Sequence, residues 1–163
     1  MVESQAPRRC IDSCVTRTLV SHGGPHVVTG GEGTPLQEVL RGQLGLDSVA
    51  TRCVTGGCGA CRVLVDGALV NTCKLRLGDL RDGAVVEAYE DLSDEPAAAT
   101  AVGAFIAERP TRCTLCVPSV GVTAVYLARR GQAGRRAAID DALETAACMC
   151  TGRGSLRRAL LAR

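Results

Sequence analysis

The chain has 163 residues, a formal charge of +2, one Phe, two Tyr and no Trp. That length allows one ordinary domain or two small ones, the charge is too small to point to a nucleic-acid partner, and no stretch is long and apolar enough to span a membrane as a helix. A core without aromatic bulk falls to Val, Leu, Ile and Ala, so a supplement such as a metal centre is expected, and ten cysteines can supply it.

Residues 1–15 read as a flexible tail, with Pro7, Arg8 and Arg9 in mixed polarity and no periodicity. Cys10 and Cys14 read there as free or oxidisable surface thiols, an extra metal or redox role being the alternative. Arg8-Arg9 opens no twin-arginine signal, because Ile11 to Val20 carries Asp12 and Arg17 in place of an apolar run. A cytoplasmic location is expected, where cysteines serve as metal ligands more often than as disulfides.

From Thr16 the pattern is regular. Thr16 to Val20 and His26 to Val28 read as strands, separated by the turn residues His22-Gly-Gly-Pro25. A helix follows, with Thr34 as N-cap, Pro35 at its first position and Gln37 completing a capping box. Leu36, Val39, Leu40 and Leu44 form its apolar stripe, and Gly45 ends it.

Next comes Cys53-Val-Thr-Gly-Gly-Cys58-Gly-Ala-Cys61, with Cys73 beyond it. Four residues and then two separate these thiols, the spacing of a loop around a two-iron cluster of the plant ferredoxin type. Gly56, Gly57 and Gly59 allow the backbone N–H groups to approach an anionic cluster closely. Arg62 to Val65 and Ala68 to Val70 read as a hairpin around Asp66-Gly67, which returns the chain to Cys73. Val85 to Tyr89 reads as a further strand. A zinc knuckle fits the loop poorly, since structural zinc pairs its ligands with two to four residues between them.

Asp91 to Pro96 marks a switch from strand to helical periodicity and is the expected boundary between residues 16–91 and 92–163. Ala98, Ala101, Val102, Phe105 and Ile106 share one helical face, and Arg109-Pro110 stops that helix. Cys113 and Cys116 precede a second helix, Val120 to Arg130, which Gly131 ends. A third, from about Arg135, delivers Cys148-Met149-Cys150, and Ser155 is the expected cap of a final short helix. Each cysteine pair thus precedes a helix start, whose free N–H groups and dipole favour an anion. Taken alone, this second set suits either zinc or an iron–sulfur cluster.

Both sets together, in this order, resemble the small iron–sulfur subunit of the molybdenum hydroxylases, the family of xanthine dehydrogenase, aldehyde oxidoreductase and aerobic carbon monoxide dehydrogenase. The likeness runs from about Thr16 to Leu161. It is carried by Cys53…Cys58-Gly-Ala-Cys61…Cys73, by Asp66-Gly67, and by Cys113…Cys116 with Cys148-x-Cys150-Thr151-Gly152. The resemblance implies an α+β fold: a β-grasp, ferredoxin-like domain followed by an all-α four-helix domain, each holding a [2Fe-2S] cluster. Cys53, Cys58, Cys61 and Cys73 would hold the cluster nearer flavin; Cys113, Cys116, Cys148 and Cys150 would hold the one nearer molybdenum. It further implies a molybdopterin-bearing partner subunit, an FAD-bearing partner subunit or an external acceptor, and no acid, base or nucleophile for substrate on this chain. An oxidised core with four thiolates carries about −2, so two would take the chain from +2 to roughly −2.

The chain departs from the family pattern at three places. Arg112 stands where the family has a Gln touching the molybdopterin, and Arg lacks the acceptor. Ser119 replaces a Gly, and Met149 an Arg. Arg112 and Ser119 support an alternative, a free-standing two-cluster redox or sensor protein without a molybdenum partner. Elsewhere, His22 and His26 read as surface residues, and Arg129, Arg130, Arg135 and Arg136 as a solvated basic face or a docking patch for an acidic subunit. Gly30-Gly31-Glu32-Gly33 reads as a turn, without the strand and helix context of a dinucleotide loop.

Overall fold

The computed structural model describes residues 14–50, 53, 56–108 and 113–162. Strands β1 (Cys14–Ser21) and β2 (Gly24–Gly31) form an antiparallel hairpin. His22 and Gly23 make its two-residue turn with φ of 51° and 80°, so Gly24 and Pro25 belong to β2 and not to the turn. Pro25 is tolerated because β2 is an edge strand and needs no donor there. Helix α1 (Leu36–Gly42) follows, then the cysteine loop, β3 (Arg62–Val65) and β4 (Ala68–Asn71). Asp66 and Gly67 join these strands with φ of 48° and 76°, the primed turn that matches strand twist. A 3₁₀ turn at Leu77–Asp79 leads to β5 (Ala84–Glu87). The five strands lie in the order β2-β1-β5-β3-β4, with β1 and β5 parallel and the other neighbours antiparallel.

The capping box expected at Thr34 does not form. Pro35 is the N-cap of α1 and no side chain caps it. The free N–H groups of Leu36 and Gln37 instead meet the carbonyls of Leu75 (2.8 Å) and Thr72 (3.4 Å), supplied by the residues on either side of Cys73. Tertiary acceptors replace the local ones, and they tie the helix before the cysteine loop to the segment after it.

Strand β3 is buried along its whole length. Its side chains alternate: Val63 and Val65 pack with Leu19, Leu36, Val39 and Val86, whereas Leu64 packs with Leu92, Ala98, Val122 and Val125 on the helices. Those helices are α2 (Tyr89–Leu92), α3 (Pro96–Glu108), α4 (Val117–Arg129), α5 (Arg136–Ala142) and α6 (Gly152–Leu161). Tyr89 is the first residue of α2 and not the end of a strand. Its ring presses on Gly121 of α4, where a Cβ would lie 2.5 Å from the ring. Phe105 is buried among Ala101, Leu127, Ile139 and Leu156. Helix α6 begins at Gly152, so Ser155 lies inside it and bonds back to Thr151 Oγ1 (2.5 Å). No helix among the described residues is long and apolar enough to cross a membrane.

Candidate metal centre

Four hydrogen bonds fix the approach to the first cysteine loop. Arg41 holds the carbonyls of Asp47 (2.8 Å) and Val49 (3.1 Å), and Ser48 gives its N–H and hydroxyl to the Glu90 carboxylate. The loop then brings Cys53, Cys58, Cys61 and Cys73 together as two couples: Cys58 beside Cys53, and Cys73 beside Cys61. Cys58 and Cys61 are buried, and the other two are half-buried. Ala60 N–H points at Cys58 Sγ from 3.4 Å. Gly56 and Gly59 have φ of 68° and 70°, which a side chain rarely adopts. Burial pushes the Cys58 thiol up to about 11 and the Cys73 thiol up to about 11, and neighbouring thiols add to both shifts.

The second set is built by the starts of two helices. Cys116 is the N-cap of α4, and Cys148-Met149-Cys150 leads into α6, whose N-cap is Thr151. Again the thiols form couples: Cys116 with the buried Cys148, and Cys113 with the exposed Cys150. Burial, then Cys148, pushes Cys116 up to about 12. At Cys148 burial acts the same way, but the Thr151 hydroxyl and the N–H groups of Cys150 and Thr151 prevail and bring that thiol below its ordinary value.

The two sets adjoin. Cys58, Cys116 and Cys148 share one buried cluster with Ala60 and Ala146, and Ala147 N–H donates to Cys58 O at 3.2 Å. A Cβ on Gly59 would lie 2.6 Å from Ala146 Cβ. Gly59 therefore serves packing between the two sets as well as the loop's conformation, and only the first of these tasks depends on contacts made after folding. Arg62 is 5% exposed, and burial pulls its guanidinium down to about 10 against the opposing influence of Cys61 and Cys58.

The donor chemistry fits two-iron clusters. Within each set the thiols stand as two couples, which suits a binuclear core with two ligands per iron. Structural zinc needs four ligands on one ion. Backbone and hydroxyl donors already face Cys58 and Cys148, where thiolate sulfurs would need them.

Of the remaining residues singled out from the sequence, Ser119 and Met149 adjoin the second set. Arg112 and Cys10 lie outside the described residues. Cys14 opens β1 and is disulfide-bonded, the oxidised state of the oxidisable thiol expected there. Ser119 donates to Cys116 O at 2.9 Å, and Met149 is 84% exposed. His22 meets Asp91, and His26 meets Ser21 O. Arg129 is held by Glu87 and Glu95, which removes it from the expected basic patch, while Arg130 lies over the Tyr126 ring.

Known proteins resemble the chain over most of its length. The chain is 31% identical over 140 residues to the xanthine dehydrogenase iron-sulfur-binding subunit of Escherichia coli O157:H7, covering 85% of this chain and 87% of that one. It is 32% identical over 119 residues to the aldehyde oxidoreductase of Megalodesulfovibrio gigas, and the match spans 72% of this chain but 13% of that protein. The structure of aldehyde oxidoreductase from Desulfovibrio gigas superposes with a TM-score of 0.76 at 26% identity, over 91% of this chain and 16% of that one. No protein-family model matches the chain.

Proposed function

The chain belongs to the iron–sulfur subunits of the molybdenum hydroxylases, and we propose that it is the two-cluster electron-transfer subunit of such an enzyme. It relays electrons from a molybdopterin-bearing subunit to an FAD-bearing subunit or an external acceptor. Residues 16–91 are assigned to a ferredoxin-like β-grasp domain and residues 92–163 to a four-helix domain. When bound, a [2Fe-2S] cluster in each would supply one-electron transfer at nearly fixed geometry.

The residues of the chain supply position and electrostatics. Cys53 with Cys58, and Cys61 with Cys73, would hold one cluster; Cys113 with Cys150, and Cys116 with Cys148, the other. The Ala60 N–H on Cys58 and the Thr151 hydroxyl on Cys148 stabilise charge on sulfur. The α4 N-terminus adds its dipole at Cys116. Burial keeps water from Cys58, Cys61, Cys116 and Cys148.

The observation that carries this reading is the arrangement of eight thiols as two adjoining sets, each of two couples. Iron and acid-labile sulfide analysis of protein made in iron-replete cells tests it. About four of each per chain are expected for two such clusters; colourless protein carrying zinc would sink the proposal.

A further inference from the structure

Arg62 opens β3, and alternation turns it to the face of Leu64, towards the helices. Its three nitrogens each find neutral acceptors: Nε meets Asn71 Oδ1 (3.2 Å), Nη1 meets Thr123 Oγ1 (3.3 Å), and Nη2 meets Ala142 O (2.6 Å) and Thr145 Oγ1 (3.3 Å). The ion pairs among the described residues leave it out. A buried cation satisfied in hydrogen bonds but not in charge is costly unless an anion stands near it. The thiols of Cys61 and Cys58 beside it can carry negative charge, and the position a Gly59 Cβ would take lies 3.1 Å from its Nε; Asp141 and Glu144 line the same cavity without forming an ion pair with it. The polar chain runs on into the second set: Thr123 Oγ1 donates to Ser119 O (2.7 Å), and Ser119 Oγ donates to Cys116 O (2.9 Å).

We infer that Arg62 is the built-in counter-ion of the cluster held by Cys53, Cys58, Cys61 and Cys73, and that its charge keeps that cluster's reduction potential above the value a neutral residue would give. This rests on the iron–sulfur reading above. Uptake of one electron takes a four-thiolate two-iron site from about −2 to about −3. A fixed neighbouring cation, protonated throughout, stabilises the more negative form more strongly. Arg62 is thus a positioning residue that acts through charge and through its span from β3 to α4 and α5.

The test uses the full chain as wild type, Arg62→Gln and Arg62→Lys, each assayed for iron and sulfide and then titrated with dithionite under electron paramagnetic resonance. Arg62→Gln is expected to shift one cluster's one-electron equilibrium about tenfold towards the oxidised form, equivalent to about 59 mV for a one-electron couple, and Arg62→Lys to restore most of it. Unchanged midpoints for both clusters in a loaded Arg62→Gln protein overturn the inference. If Arg62→Gln takes up no iron, Arg62→Lys decides. A loaded protein with a wild-type potential upholds the role of charge, and failure to load makes Arg62 a packing residue only. A wild-type chain without iron and sulfide would defeat the iron–sulfur reading itself, and loading of the wild type separates the two failures.

Discussion

Ala147 donates its backbone N–H to the carbonyl oxygen of Cys58 at 3.2 Å, one residue before Cys148. A single hydrogen bond thus links the backbone of one thiol set to that of the other. Beside it, Gly59 rests on Ala146, 2.6 Å from where its own Cβ would begin. Gly59→Ala is expected to cost about 2–3 kcal/mol, from overpacking and from the positive φ. Adding Ala146→Gly should recover the packing part and leave about 1 kcal/mol. Denaturant titration of the two variants and the double variant measures both parts.

Separate couples predict separate losses. Cys58→Ser and Cys116→Ser should each lower iron and sulfide from about four to about two per chain. Loss of all iron from either variant would show that the sets load only together.

Thr123→Val keeps the shape of the side chain but removes the hydroxyl between Arg62 Nη1 and Ser119 O. A buried guanidinium N–H is then left without an acceptor, at a cost of about 1–3 kcal/mol. The expected readout is a lower thermal midpoint than wild type, with iron content preserved.

Asp66 supplies a pH dependence. The Val85 N–H and then Arg81 hold its carboxyl below the usual range. A depressed folded value stabilises the fold above the unfolded pKa of 3.8, and this contribution disappears as pH falls through the folded value. Asp66→Asn suits the positive φ of this turn and keeps an acceptor for Val85. It should cost under about 1 kcal/mol at neutral pH, the range of an exposed pair, and nothing in strong acid. Denaturant midpoints at neutral and acid pH check this.

How much of this was legible beforehand depends on the range of the physics involved. The Asp66-Gly67 hairpin, a helix start after Cys116 and the spacing of the cysteines are local, and the residues themselves announce them, although α4 begins at Val117 and not at the expected Val120. Three features were not legible. The capping box at Thr34 is displaced because Leu75 and Thr72 bring carbonyls from another part of the chain. Arg62 follows Cys61 in sequence, yet its acceptors on Thr123, Ala142 and Thr145 lie 61 to 83 positions away. Glycines 59 and 121 read as loop and helix residues, while their reason is contact with Ala146 and Tyr89. Such contacts exist only after the sheet and helices have met.

The most direct measurement is the number of electrons that the reconstituted chain takes up in an anaerobic dithionite titration. Two clusters of the [2Fe-2S] type accept one each, so two electrons per chain are expected, with the visible absorbance bleaching in step. Uptake of none by a protein with all eight thiols intact would contradict the electron-transfer function, and uptake of one would contradict the second cluster.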